Sequence, residues 1–122
     1  MSNKKTALVL GASIKPERYS NKAIIMLSDH GYPVRAMARR DGTVRDIDFD
    51  TTLVEYEDID TVTMYLGEKN QTDYIDYILE LKPNRIIFNP GAENPSFYQK
   101  AKEEGIEVVN ACTLVMLSTG QY

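Results

Sequence analysis

The chain has 122 residues, 43% of them hydrophobic and 26% charged, the balance of a globular protein and not of a disordered one. Its 14 Lys and Arg against 18 Asp and Glu leave a net charge of −4, which argues against the broad basic surface of a nucleic-acid binder and leaves room only for a local basic pocket. One cysteine and one histidine argue against a disulfide framework, a Cys-rich zinc site and a metal held by several imidazoles.

No apolar run reaches the length of a bilayer span, and Met1 to Lys5 leads into only a short apolar stretch. A cytoplasmic protein with a single domain over residues 1–122 is the expectation. Thr6-Ala7-Leu8-Val9-Leu10 suits a strand buried on both faces, and Gly11 ends it. Ser20-Asn21-Lys22 opens a helix whose Ala23, Ile24 and Leu27 share a face, with Gly31 placed to stop it. Pro33 to Ala38 reads as the next strand and Asp41-Gly42 as a tight turn. Residues 43–47 suit a short edge strand, whereas 48–58 hold no clean period. Asp60 to Leu66 is a strand rich in β-branched and aromatic residues. After Gly67, Tyr74, Ile75, Ile78 and Leu79 form the stripe of a core-facing helix, with Pro83 beyond its end. Arg85 to Phe88 is another strand. Asn94-Pro95 then joins an N-cap to a proline at the first helical position. Phe97 and Ala101 share a face of that helix, Gly105 ends it, Ile106 to Val109 is the last strand, and Ala111 to Leu117 a short final helix.

Strands separated by helices share one sheet only when parallel, since each crossover returns the chain to the same end. The expectation is an α/β, doubly wound, five-stranded parallel sheet in three layers, of order 3-2-1-4-5. Ligands of such sheets bind beyond the C-terminal strand ends, near the point where the strand order reverses. That selects residues 11–20, 38–42, 66–71, 89–95 and 110–113, and the unusual side chains collect there.

Gly11-Ala12-Ser13 joins the first strand to the first helix. The dinucleotide fingerprint would need glycine at 13 and 16, where the chain has Ser13 and Pro16. The loop instead carries Lys15, Arg18, Ser20 and Asn21, and cations with hydroxyls at a helix start suit a pyrophosphate. Solvated charges and a plain N-cap at Ser20 are the simpler alternative. Arg39-Arg40 stands where a NAD site places an acidic residue, and two guanidinium groups favour a phosphate on the ribose, as in NADP or the 3′-phosphate of coenzyme A (CoA). Ion pairing of these arginines with Asp41, Asp46 or Asp48 is the competing reading.

The run Gly11-Ala12-Ser13-x-Lys15-Pro16-x-Arg18-Tyr19-Ser20 resembles the first loop of the small stand-alone CoA-binding proteins, which are similar in fold to the CoA-binding domain of the succinyl-CoA synthetase alpha subunit. Asp60-Thr61-Val62, Pro83-x-Arg85 and the loop around Gly91 follow the same family order, so the likeness runs over about residues 5 to 118. Two segments depart from the family pattern: Asn89-Pro90-Gly91-Ala92-Glu93-Asn94 replaces a Gln-x-Gly segment, and Arg39-Arg40-Asp41-Gly42 replaces an Asn-Pro type. The resemblance implies a Rossmann-like fold with CoA or an acyl-CoA as ligand. Gly11, Ala12, Ser13, Lys15, Arg18 and Ser20 would face its pyrophosphate, with Tyr19 in reach of the ligand. Arg39 or Arg40 would meet the 3′-phosphate, Leu66 and Gly91 would border the pantetheine arm, and Asn89 is a further cofactor-binding candidate.

Glu93 is a candidate base at the arm end, where Asn89 and Asn94 could orient a carbonyl, although a favourable place near a helix N-terminus explains it more simply. Cys112 follows the last strand and could exchange with the CoA thiol, against the plainer role of a small buried hydrophobe. His30 closes the first helix at the far end of the sheet. Ligases like succinyl-CoA synthetase use a phosphorylated histidine on a second domain, so complete ligase activity is not expected here. The reading is a CoA-binding protein with no catalytic or metal residue assigned. Its alternatives are an NADP-dependent oxidoreductase, opposed by the broken glycine fingerprint and the missing Tyr-x-x-x-Lys pair, and an interaction domain with a vestigial pocket. Membrane association is not expected, and a protein partner or a second copy is left open.

Overall fold

The computed structural model describes residues 4–122. Its strands are β1 Thr6–Leu10, β2 Val34–Met37, β3 Thr43–Val44, β4 Ile47–Asp50, β5 Ile59–Met64, β6 Arg85–Phe88 and β7 Glu107–Asn110. Its helices are α1 Tyr19–Asp29, α2 Glu68–Gln71, α3 Ile75–Leu81, α4 Pro95–Glu103 and α5 Thr113–Ser118, with a 3-10 turn Thr72–Tyr74 between α2 and α3. The strands form one sheet in the order β3-β4-β2-β1-β5-β6-β7. Every neighbouring pair is parallel except β3 with β4.

Alternation along β1 divides the core between two faces. Leu8 and Leu10 join Val62, Met64, Ile86 and Phe88 under Ile78 of α3 and Phe97 of α4. Ala7 and Val9 turn the other way, toward Ile24 and Leu27 of α1 and Leu117 of α5. A strand covered on both sides has no polar face to offer, hence its continuously apolar sequence. None of the described helices is long and apolar enough to cross a membrane.

The sheet corrects two expectations: it has seven strands, not five, and its order is not 3-2-1-4-5. The strand at 59–64 pairs directly with β1, through Ala7↔Thr61 to Leu10↔Met64. The place beyond β2 is taken by β4, through Ala36↔Phe49 and Met37↔Asp50. The physical reason lies in residues 43–50, where the short edge strand expected at 43–47 is replaced by a hairpin of β3 and β4. Val44 faces Ile47, and the two residues between them, Arg45 (φ 51°) and Asp46 (φ 64°), both adopt the left-handed conformation of a tight hairpin turn. From β4 the chain returns through residues 51–58, with Tyr56 packed on the α3/α4 core, and enters β5 on the far side of β1.

Local helix signals hold. Asn94 caps α4 by accepting the Phe97 amide at 3.2 Å, and Gly31 and Gly105 follow their helices at positive φ. The helix expected after Gly67 is broken into α2, the 3-10 turn and α3, which lets Gln71 point into the core.

The hairpin turn holds two residues with a Cβ where glycine carries no steric penalty. Asp46→Gly should raise stability by about 0.5–1 kcal/mol in urea unfolding. A lower midpoint would contradict the left-handed turn.

Candidate functional site

Chain order reverses at β1, with β2 on one side and β5 on the other. The loop leaving β1 is tied to both neighbours. The amides of Gly11 and Ala12 each donate to the Met37 carbonyl at 3.0 Å, and the Tyr65 amide donates to the Leu10 carbonyl at 2.9 Å. Gly11 sits at φ +96°, and a Cβ there would lie 3.2–3.3 Å from Leu66 and the Tyr65 backbone, so glycine is what permits this approach. Further along, Ser13 Oγ accepts the Lys15 amide at 3.1 Å and the Ser13 carbonyl accepts Asn21 Nδ2 at 2.9 Å. Asn21 therefore holds the loop in place.

α1 starts without a side-chain cap. The first amide to find a helical acceptor is that of Lys22, which donates to Arg18, and those of Tyr19, Ser20 and Asn21 have no acceptor among the described residues. Such open amides carry the positive end of the helix dipole. Tyr19 and Ser20 line a cleft of about 470 Å³ whose walls also include Gly11, Ser13, Lys15 and Arg18 together with Tyr65 and Pro90. Ser20 is 4% exposed, and its hydroxyl pairs with no described residue. On the other side of the loop a second cleft of about 310 Å³ joins Ala12, Ser13 and Lys15 to Arg39 and Arg40 beyond β2, over an apolar lining of Ile14, Ala38 and Phe49. Four cations line the two clefts against two carboxylates, Glu17 and Asp41.

The ion pairs among the described residues are Lys5–Asp60, Arg45–Asp29 and Lys100–Asp76. Arg39 and Arg40 are thus not neutralised by Asp41, Asp46 or Asp48, and Arg39 donates instead to Asn70 Oδ1 at 3.3 Å. A cleft of similar volume at the opposite end of the sheet, around Lys4, Lys5, Glu57, Asp58, Asp60 and Lys82, mixes both signs of charge and has no helix start.

The remaining predicted residues divide. Leu66 packs against Gly11, and Gly91 is exposed beside Pro90 at φ +91°. Asn89 does not face the clefts. It is 1% exposed, its Nδ2 donates to Thr63 Oγ1 and the Met64 carbonyl, and its Oδ1 accepts the Thr113 amide at 2.8 Å. Glu93 accepts the Gly91 amide at 2.8 Å and so folds its own loop. Cys112 is half-buried in the capping position of α5, and exposed His30 caps the far end of α1.

Tyr65, Pro90, Ile14 and Phe49 were not among the predicted contacts. Tyr65 follows a strand of alternating faces, which is its one legible signal; the others depend on the hairpin and on loop shape. Thr63 and Thr113 bond to each other at 2.7 Å, and the Tyr65 hydroxyl is buried with no hydrogen-bond partner among the described residues. Burial pushes this phenol up to about 12, against the opposing pull of the nearby Thr63 and Thr113 hydroxyls.

A family described as CoA binding domain matches residues 5–118. No functionally curated protein matches the chain. Among solved structures, the crystal structure of an uncharacterized protein is 40% identical over 99% of this chain and 100% of that one, with a TM-score of 0.96. A hypothetical protein from Pyrococcus horikoshii is 24% identical (96% of this chain, 84% of that one, TM-score 0.86). A protein from Thermus thermophilus is 22% identical (98% and 91%, TM-score 0.85). The latter two share the fold.

The folded protein holds the Tyr65 proton more tightly than an unfolded phenol at 10.0. This contribution to stability is complete below 10 and is lost as pH rises toward 12. Because the hydroxyl is unpaired, Tyr65→Phe should leave stability at neutral pH unchanged or raise it by up to about 1 kcal/mol. It should also lessen the decline between pH 10.0 and about pH 12 in urea titrations. A clear loss at neutral pH would reveal a partner for the hydroxyl.

Proposed function

The chain belongs to the CoA binding domain family, and on that premise we propose that it binds free CoA or an acyl-CoA at the rim beyond β1, without complete catalytic machinery of its own. The observation that carries this reading is the convergence of an uncapped α1 start with Lys15, Arg18, Arg39 and Arg40, none of them in an ion pair among the described residues.

In this reading the diphosphate lies across the first loop, where backbone amides of α1, the Ser20 hydroxyl and the Lys15 and Arg18 side chains supply donors. Charge-assisted hydrogen bonds contribute about 1.5–3 kcal/mol each, enough that a few outweigh desolvation of the phosphates. The second cleft offers an apolar seat for adenine between Ile14, Ala38 and Phe49, with Arg39 or Arg40 meeting the 3′-phosphate. Ile14 and Tyr19 are 60% and 58% exposed at this rim, where a bound ligand would cover them. The pantetheine arm then passes Leu66 and Gly91. Asn89 acts from inside, by fixing the loop that carries Pro90 and Gly91.

Calorimetry with CoA, dephospho-CoA and NADP tests the assignment. CoA should bind, and removal of its 3′-phosphate should weaken binding about tenfold, the value of one lost charge-assisted contact. Saturation at about 100 times the dissociation constant should add about 2.7 kcal/mol of stability, visible as a melting shift. NADP bound in preference to CoA, or no response to any of the three, would contradict the reading. Arg18→Ala should weaken CoA binding with little change in unliganded stability, and Ser13→Trp should block it sterically.

A further inference from the structure

We infer that Gln71 is a positioning residue whose buried amide fixes the spacing of the two loops bordering the pantetheine arm. The inference rests on the CoA reading of the rim and deepens it. Gln71 ends α2 and is 0% exposed. Its Nε2 donates to the Leu66 carbonyl at 2.9 Å and to the Ala92 carbonyl at 2.7 Å, while its Oε1 accepts Asn94 Nδ2 at 3.0 Å. Asn94 in turn caps α4 through the Phe97 amide. One side chain thus joins the loop after β5, the loop after β6 and the start of α4.

The sheet itself does not hold these loops together. Backbone pairing of β5 with β6 reaches its end where the Asn89 amide donates to the Met64 carbonyl at 3.3 Å. Beyond that point residues 65–67 turn toward α2 and residues 90–94 toward α4. The two carbonyls that Gln71 bridges lie in these diverging segments. Leu66 also packs against Gly11, which is held independently by its amide bond to the Met37 carbonyl. Asn89 braces the start of the second loop from the α5 side, and Gln71 braces its end. Pro90 and Gly91 are held between the two amides.

A side chain of similar length without the amide leaves the Leu66 and Ala92 carbonyls and the Asn94 amide without these partners in the interior. The loops then relax, and an arm lying between them loses its preorganised seat. The nucleotide half, held by the first loop and the arginines beyond β2, keeps its contacts. That asymmetry separates positioning from a general structural role.

Calorimetry on the full chain with CoA and with 3′-phospho-ADP, its half without the arm, reads the difference. Gln71→Met should weaken CoA binding about tenfold and leave 3′-phospho-ADP within about twofold of wild type. Asn94→Asp keeps the acceptor for the Phe97 amide and removes the donor to Gln71; it should show the same split and serves if Gln71→Met does not fold. Equal losses for both ligands, or unchanged CoA affinity in a folded variant, would overturn the positioning role alone. A wild-type chain that binds neither ligand, or binds CoA no better than 3′-phospho-ADP, would overturn the role of the arm and with it this inference.

Discussion

Parallel pairing of β1 with β2 on one side and β5 on the other is the constraint on which the rest depends. It brings the C-terminal ends of three strands to one rim and forces the loops leaving them to share a small space. The Met37 carbonyl then serves two amides of the first loop, and the Leu10 carbonyl serves Tyr65. These bonds hold Gly11 at a positive φ and so close to Leu66 that a side chain there would be strained and tightly crowded. The cationic clefts follow from this geometry. Without it Lys15 beyond β1 and Arg39 beyond β2 would be scattered charges with no common target.

Polar groups at this end of the molecule fall into two kinds with opposite uses. The side chains of Asn89, Gln71, Asn94 and Asn21 are spent on internal bonds to backbone or to one another, and all four residues are buried. A buried amide left unpaired costs about 1–3 kcal/mol, so such groups hold loops only when satisfied. Around them lie donors that find no partner among the described residues: the first amides of α1, the Ser20 hydroxyl and the guanidinium groups of Arg18 and Arg40. Unused donors beside satisfied braces describe a preorganised seat for an anion, rigid where shape matters and open where charge is to be met.

Much of this was legible in the sequence because it is local. An apolar run ending in Gly11, an Asn-Pro helix start and glycines after helices each follow from the chemistry of a few neighbouring residues, and the first loop declared its charges openly. The edge of the sheet was legible only as a single short strand at 43–47, and the hairpin that places β4 beside β2 was not. Ile47 and Phe49 alternate with aspartates over only four residues, too few to outweigh the hairpin's lack of Asn-Gly. Sheet order was lost with them, because it depends on which distant strand reaches β2 first. Asn89 illustrates a different limit: a loop amide near a ligand and one bonded inward have the same sequence signature. Gln71 gave no signal, since a lone polar residue in a helix is ordinarily solvated.

Backbone amide shifts in a ¹⁵N–¹H correlation spectrum, followed as CoA is added, test the central claim most directly, because they report position and not only affinity. The account predicts the largest changes at residues 11–21, with others at 38–42, 65–67 and 90–92, and little at Lys5, Asp60, Lys82 and Asn84 at the opposite strand ends. Changes gathered at that opposite end, or a spectrum indifferent to CoA, would contradict it.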